Sequence, residues 1–132
     1  MALALAFTVL GVVVIVFIVL VARERAPAPD DVAVAYERAW DRLDFETLWY
    51  LSGPELRDGR DRKAFVAAKR AAYPDRQLAG LVRDVTASTI AVEPDSAIVV
   101  TELVTDEGAP LRNRCTLARR TGRWFVIAHG AA

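Results

Sequence analysis

One histidine and one cysteine are the side chains of this 132-residue chain best suited to act as a base or a nucleophile. His129 lies near the end of the last predicted strand, and an imidazole can act as a general base near neutral pH. Cys115 alternates with Asn113 and Leu117 in a predicted strand, which favours a buried, unreactive thiol. A single histidine cannot form a metal-binding cluster of imidazoles, and we expect no metal and no other cofactor. The motifs HExxH and GxSxG and a glycine-rich phosphate loop are absent from the sequence.

Aromatic side chains suggest a second kind of chemistry, the binding of a small apolar ligand in a cavity. The candidate lining residues are Tyr36, Trp40, Trp49, Phe65 and Phe125. The same side chains would also form a core that joins helices to a sheet, and that is the simpler interpretation. The cavity remains an alternative to it.

The charges are balanced overall but unevenly distributed. The 17 lysines and arginines equal the 17 aspartates and glutamates, which argues against a nucleic-acid partner. Residues 111–123 nevertheless contain five arginines and no acid, here called the basic stripe: Arg112, Arg114, Arg119, Arg120 and Arg123. A solvated sheet face is the simplest interpretation of this stripe. Contact with anionic lipid headgroups or with the acidic helices of a second copy are the alternatives.

The first part of the chain has the composition of a membrane anchor. From Ala2 to Ala22 there is no charged residue and no proline, and a helix of that length would span about 30 Å, the thickness of the hydrocarbon core. We therefore predict a transmembrane helix over residues 1–23, an Ala/Pro linker over 24–30 and one domain over 31–132. The alternative, a cleaved secretory signal, would need basic residues before a shorter apolar segment.

The basic residues near the apolar segment predict its orientation. Arg23, Arg25, Arg38 and Arg42 follow this segment, and no lysine or arginine precedes it. Positively charged flanks remain on the cytoplasmic side of a membrane. We therefore expect a single-pass protein of the cell membrane whose domain lies in the cytoplasm.

The periodicity of apolar residues predicts three helices followed by four strands. Asp30 or Asp31, then Asp44 and Asp61, are the predicted N-caps of the helices. From Leu78 onward the period changes from 3.6 to 2, and strands are predicted over 82–92, 97–105, 111–119 and 123–129. The short connections require antiparallel pairing, so we expect an α+β domain with the helices on one face of a meander sheet.

This order of elements resembles that of the nuclear transport factor 2-like superfamily, which includes ketosteroid isomerases and polyketide cyclases. The resemblance is carried by Tyr36-Glu-Arg-Ala-Trp40, by Asp44-Phe45 and by Leu48, and it extends over residues 31–131. It implies a curved sheet around the long first helix, a conical cavity of the cystatin-like type, and a homodimer formed through the sheets.

The resemblance to the isomerases also implies roles for two residues. Tyr36 falls where the family has an oxyanion-binding tyrosine, and Asp58 is the nearest candidate for the base. The family's protonated acid has no counterpart, because residues 111–132 contain no Asp or Glu. Tyr36, Asp58 and His129 are therefore candidates for catalysis that do not complete a catalytic set.

Two functions follow from the sequence. The preferred one is a membrane-tethered, non-enzymatic binding or scaffold domain whose ligand is unknown. The alternative is a small-molecule enzyme of the polyketide cyclase or ketosteroid isomerase type that uses Tyr36 with Asp58 or His129. Convergence of these three residues within hydrogen-bond reach, inside an open and partly apolar cavity, would favour the enzyme.

Overall fold

A computed structural model of the protein describes residues 26–132. The elements in chain order are α1 (Pro29–Arg42), α2 (Phe45–Leu51), a 3₁₀ turn (Pro54–Leu56), α3 (Arg62–Ala72), a second 3₁₀ turn (Arg76–Leu78), β1 (Val82–Val92), β2 (Ser96–Thr105), β3 (Leu111–Arg120) and β4 (Arg123–Ala131). The predicted α+β class is confirmed, with three helices packed on a four-stranded antiparallel sheet.

The predicted transmembrane helix lies outside the described residues, as does most of the predicted linker. Within residues 26–132, no helix combines the length and the apolar character needed to cross a membrane.

The helices begin at residues that satisfy their first backbone N–H groups. Asp44 and Asp61 are confirmed as caps, and their carboxylates accept hydrogen bonds from Thr47 N (3.1 Å) and Ala64 N (2.8 Å). The predicted cap of the first helix at Asp30 or Asp31 is wrong, because α1 already begins at Pro29. Proline suits that position, since its fixed φ matches a helix and the first N–H needs no partner within the helix.

The sheet is a meander in the order β1-β2-β3-β4, with every neighbouring pair antiparallel. Its register places Thr101 of β2 opposite Asn113 of β3, and Cys115 of β3 opposite His129 of β4. The β3–β4 pairing shifts register between Thr116 and Leu117, and such bulges bend a strand and increase its twist. The register brings chemically distinct side chains together on the face that the helices cover.

The core lies between that sheet face and the three helices. Alternate residues of β2 point inward and are buried: Ala97, Val99, Thr101 and Leu103. The helices contribute Val32, Ala33, Tyr36, Phe45, Leu48 and Phe65 to the same cluster. A backbone hydrogen bond also joins the segment after α2 to β4, because Gly53 N donates to Val126 O at 2.8 Å. A Cβ on Gly53 would lie 2.9 Å from the Ile127 Cγ2 atom, so a larger residue there would require neighbouring side chains to shift.

Two leucines of β3 test this description of the core. Leu117 is fully buried whereas Leu111 is 60% exposed. Leu117→Ala should lower the free energy of unfolding by about 2–5 kcal/mol, because it removes buried methyl groups and leaves a cavity. Leu111→Ala, the matched control, should change it by less than about 0.5 kcal/mol. Urea denaturation of the full chain, followed by near-UV circular dichroism, measures both. Equal losses in the two variants would contradict the assignment of the inward face.

Candidate functional site

A buried carboxylate joins α1 to three strands. Glu37 is only 2% exposed, and its Oε1 atom accepts hydrogen bonds from Thr101 Oγ1 (2.7 Å) and Asn113 Nδ2 (3.0 Å). The Nε2 atom of His129 lies 2.9 Å from the same oxygen. An ionised carboxylate can only accept hydrogen bonds, so the Nε2 atom of His129 must carry a hydrogen and donate it. The other ring nitrogen, Nδ1, takes no part in this hydrogen bond. These four residues are called the Glu37 cluster below.

The cluster keeps Glu37 ionised. Burial raises the pKa of Glu37, but the hydrogen bonds from His129 and Thr101, the attraction of His129 and the hydrogen bond from Asn113 together outweigh burial. The net effect holds its pKa below the ordinary value. At neutral pH the charged form therefore sits between helix and sheet with its oxygen satisfied by donors from β2, β3 and β4.

Tyr36 and His129 connect this cluster to an open pocket. Their ring centroids are 5.1 Å apart at an interplanar angle of 61°, an edge-to-face contact. The adjoining cavity has a volume of about 220 Å³. We call it the histidine pocket, and its walls include Tyr36, Trp40, Asp58, Phe65, Lys69 and His129.

The polar atoms around the histidine pocket differ in whether they have a hydrogen-bond partner. Burial raises the pKa of Tyr36 against the lowering effect of the nearby Trp40 and Ser52 side chains, so the phenol keeps its proton. Ser52 donates its own hydrogen to Leu48 O at 2.6 Å, and within residues 26–132 the buried Trp40 Nε1 has no hydrogen-bond partner. Lys69 Nζ lies 5.3 Å from the centre of the Trp40 ring, a cation–π distance. The pocket thus combines aromatic walls with a cation and a phenolic hydroxyl group.

Cys115 completes the one group in the described part of the chain that could hold a metal ion. One ligand atom each of Glu37, Cys115 and His129 lie within 4.8 Å of one another. Burial and the charge of Glu37 raise the pKa of Cys115 to about 12, so the thiol is protonated. Cys115 is fully buried, as predicted. A metal would have to displace this proton and compete with the hydrogen bond that already joins Glu37 to His129.

The structure separates the residues predicted to share a cavity. Tyr36, Asp58 and His129 do line one pocket, although none of the hydrogen bonds found within residues 26–132 joins them to one another. Trp40 and Phe65 line that pocket too. The other two predicted lining residues, Trp49 and Phe125, lie in a second groove of about 380 Å³.

The basic stripe is also divided. Arg112 and Arg114 are exposed and flank the inward-facing Asn113, so they lie on the outer face of the sheet. Arg120 and Arg123 line the second groove, on the helix side, together with Trp49. Arg119 is exposed near the end of β3.

Glu37 is the residue of the site that sequence reasoning missed. It is one of the acidic residues of the first predicted helix, and it falls four residues after Ala33 and three before Trp40. That spacing places it within the apolar stripe of α1. A carboxylate at such a position needs buried donors, and this is the signal that could have identified it.

The comparisons with known proteins identify the fold. No protein-family model and no curated protein matches the chain. It is similar to the solution structure of RPA3114, a SEC-C motif containing protein from Rhodopseudomonas palustris, with 18% identity over 86% of both chains and a TM-score of 0.51. It is also similar to the crystal structure of a Campylobacter jejuni protein provisionally described as an NTF2-like transpeptidase, with 17% identity over 76% of this chain and 97% of that one and a TM-score of 0.56. At such identities the similarity shows the architecture alone, an α+β cone fold of the nuclear transport factor 2-like type.

The Glu37 cluster predicts an acid-sensitive domain. Since the pKa of Glu37 is lower in the folded protein than its unfolded value of about 4.3, its charge contributes stability above that pH, which is lost as the pH falls through the folded value. Glu37→Gln should destabilise the fold by about 2 kcal/mol at pH 7 and flatten the acid limb of the stability curve.

Urea denaturation between pH 3 and pH 7 measures this effect. Glu46→Gln is the control, because Glu46 is a half-exposed carboxylate that pairs with Arg62 across 3.1 Å at the surface. An unchanged acid limb in Glu37→Gln would show that Glu37 is not the group responsible.

Proposed function

We propose that the chain is a membrane-tethered binding domain whose histidine pocket holds a small ligand. The observation that carries this proposal is the pocket itself, in which Tyr36, Lys69 and His129 surround one opening between the aromatic walls of Trp40 and Phe65. A volume of about 220 Å³ is below the range of about 300–1,000 Å³ typical of drug-sized ligands. The ligand is therefore a small one.

The chemistry of the walls defines the class of ligand. Trp40 and Phe65 suit a flat apolar body, because aromatic faces pack well against one. Lys69 supplies a positive charge and Tyr36 a hydroxyl donor, which together suit an anionic or acceptor group on that body. Two carboxylates also border the pocket, but Glu55 is paired with Arg120 and Asp58 is exposed to solvent. A small aromatic carboxylate has both parts, and benzoate is the simplest probe of this kind.

Benzoate binding tests the pocket. Saturation-transfer NMR on the full chain in detergent micelles should detect benzoate with a millimolar dissociation constant. Lys69→Met should weaken it at least threefold, because the ion pair with the carboxylate is lost. Arg70→Met, an exposed neighbour on α3, is the matched control and should leave the affinity unchanged. Absence of a benzoate signal, or equal binding by the Lys69 variant, would contradict the proposal.

An acid–base enzyme is the second candidate, and one observation favours it. Tyr36, Asp58 and His129 line the same pocket. Glu37 accepts a hydrogen bond from the His129 ring, in the way that a carboxylate orients a catalytic imidazole. Against it, the described residues offer no second carboxylic acid kept neutral beside Tyr36. Deuterium exchange at the α-carbon of cyclohexanone separates the two functions. If the wild-type chain catalyses this exchange and the His129→Gln variant does not, the enzyme is favoured. A binding domain should catalyse no exchange.

The membrane tether is inferred from the composition of residues 2–22, which contain no charged residue and no proline. The full chain should pellet with membranes and resist extraction by carbonate. Val14→Arg combined with Phe17→Arg should release it, because each arginine at the centre of a span costs about 2.5–3.5 kcal/mol. The pair of leucine substitutions at these positions is the control. If the wild-type chain stayed in the aqueous fraction, the tether would be excluded.

A reporter fused after Ala132 tests the proposed cytoplasmic orientation. Arg23, Arg25, Arg38 and Arg42 favour this side, so the reporter should be active in the cytoplasm and inactive outside it. The homodimer through the sheet also stays a prediction. Its surface would be the outer face that carries Arg112 and Arg114.

A further inference from the structure

A second concave surface lies apart from the histidine pocket. It is formed by the end of α2, the chain that follows the first 3₁₀ turn, and the β3–β4 hairpin, and its volume is about 380 Å³. We call it the arginine groove. The lining residues that matter for its chemistry are Trp49, Tyr50, Arg57, Arg120, Arg123 and Phe125.

Arg57 is held in place within this groove. The carbon of its guanidinium lies 3.7 Å from the centre of the Trp49 ring, so the two planes are in close contact. Its Nε and Nη2 atoms donate to Trp49 O at 3.2 Å and 3.1 Å. A guanidinium fixed in this way loses little freedom when a ligand binds to its remaining N–H groups.

The positive charges of the groove are only partly neutralised. Arg120 is paired with Glu55, and its Nη1 atom lies 3.0 Å from Glu55 Oε2. Arg57 and Arg123 line the same groove and take part in none of the ion pairs found within residues 26–132. Burial lowers the pKa of Arg57 and the charge of Arg123 lowers it further, while the charge of Glu55 offsets part of this effect.

The apolar surface of the groove adjoins these charges. The Arg123 guanidinium carbon lies 4.9 Å from the centre of the Phe125 ring, and Tyr50 is 48% exposed on the α2 side. A ligand with a charged end and a flat or apolar body would contact both kinds of surface at once. Neither the histidine pocket nor the Glu37 cluster includes any of these residues.

We propose that the arginine groove binds the phosphate group of a phosphate monoester through Arg57 and Arg123. A monoester carries a charge of about −1.5 to −2 near neutral pH, which suits two guanidiniums that are in no direct ion pair. Its oxygens suit the paired N–H groups of arginine, which bind phosphate bidentately. Two sources share this chemistry, a soluble aromatic monoester and the headgroup of phosphatidic acid in the adjacent bilayer.

Phenyl phosphate is the probe for the shared chemistry. Titration of the full chain in phosphatidylcholine nanodiscs, followed by tryptophan fluorescence at 0.1 M salt, should give saturable binding. Arg57→Gln with Arg123→Gln should weaken it at least tenfold. Arg112→Gln with Arg114→Gln removes the same charge from the outer sheet face, and this matched control should change affinity less than twofold. Equal weakening in the two double variants would overturn the proposal, since it would reveal only the general charge of the domain.

Two further measurements make the test decisive. Arg123→Gln alone preserves the contact of Arg57 with Trp49, so it should keep the wild-type near-UV spectrum and still weaken phenyl phosphate at least threefold. Unchanged affinity in this variant would overturn the proposal. Nanodiscs that contain phosphatidic acid distinguish the sources. A larger apparent dissociation constant of phenyl phosphate there than in nanodiscs of equal negative charge made with phosphatidylglycerol, a phosphodiester lipid, assigns the groove to the phosphatidic acid headgroup. Equal values in the two kinds of nanodisc assign it to a soluble monoester.

Discussion

The fold depends on one buried charge. Glu37 is a carboxylate at 2% exposure, and such a group is tolerated only where donors replace the water it has lost. Thr101, Asn113 and His129 supply them from three successive strands, so a single oxygen fixes how α1 lies across the sheet. A change in the register of one of these strands would remove the donor that this strand supplies to the charge. The cluster therefore specifies the arrangement of helix and sheet as well as stabilising it.

The same constraint determines what His129 can do. Its Nε2 atom is committed to Glu37, so the orientation and tautomer of the ring are set by the fold. The ring then packs edge to face against Tyr36 and forms one side of the histidine pocket. The pocket is thus built directly on the element that holds the domain together. A substitution that frees the imidazole would alter stability and ligand contacts together.

Local rules were sufficient to predict the elements but not the site. The N-caps Asp44 and Asp61 and the short turns between strands can be recognised from neighbouring residues. The order of helices and strands follows from them. Prediction of the second groove required knowledge that Trp49 of α2 and Phe125 of β4 line one surface, which no local pattern contains. Glu37 was missed because its donors are 64, 76 and 92 residues away in the chain. Periodicity shows that such a residue faces inward, but only the folded register shows what meets it.

The 3₁₀ turn after α2 acts as a partition between the two concave surfaces. Its Glu55 borders the histidine pocket, while its carboxylate is bound to Arg120 of the opposite groove. An anion that drew Arg120 away would release a negative charge toward the histidine pocket and disfavour a negatively charged occupant there. Thermodynamic reciprocity then requires that this occupant weaken the anion to the same degree. If both surfaces hold anions as proposed, the Glu55–Arg120 pair between them would make the two occupants disfavour each other.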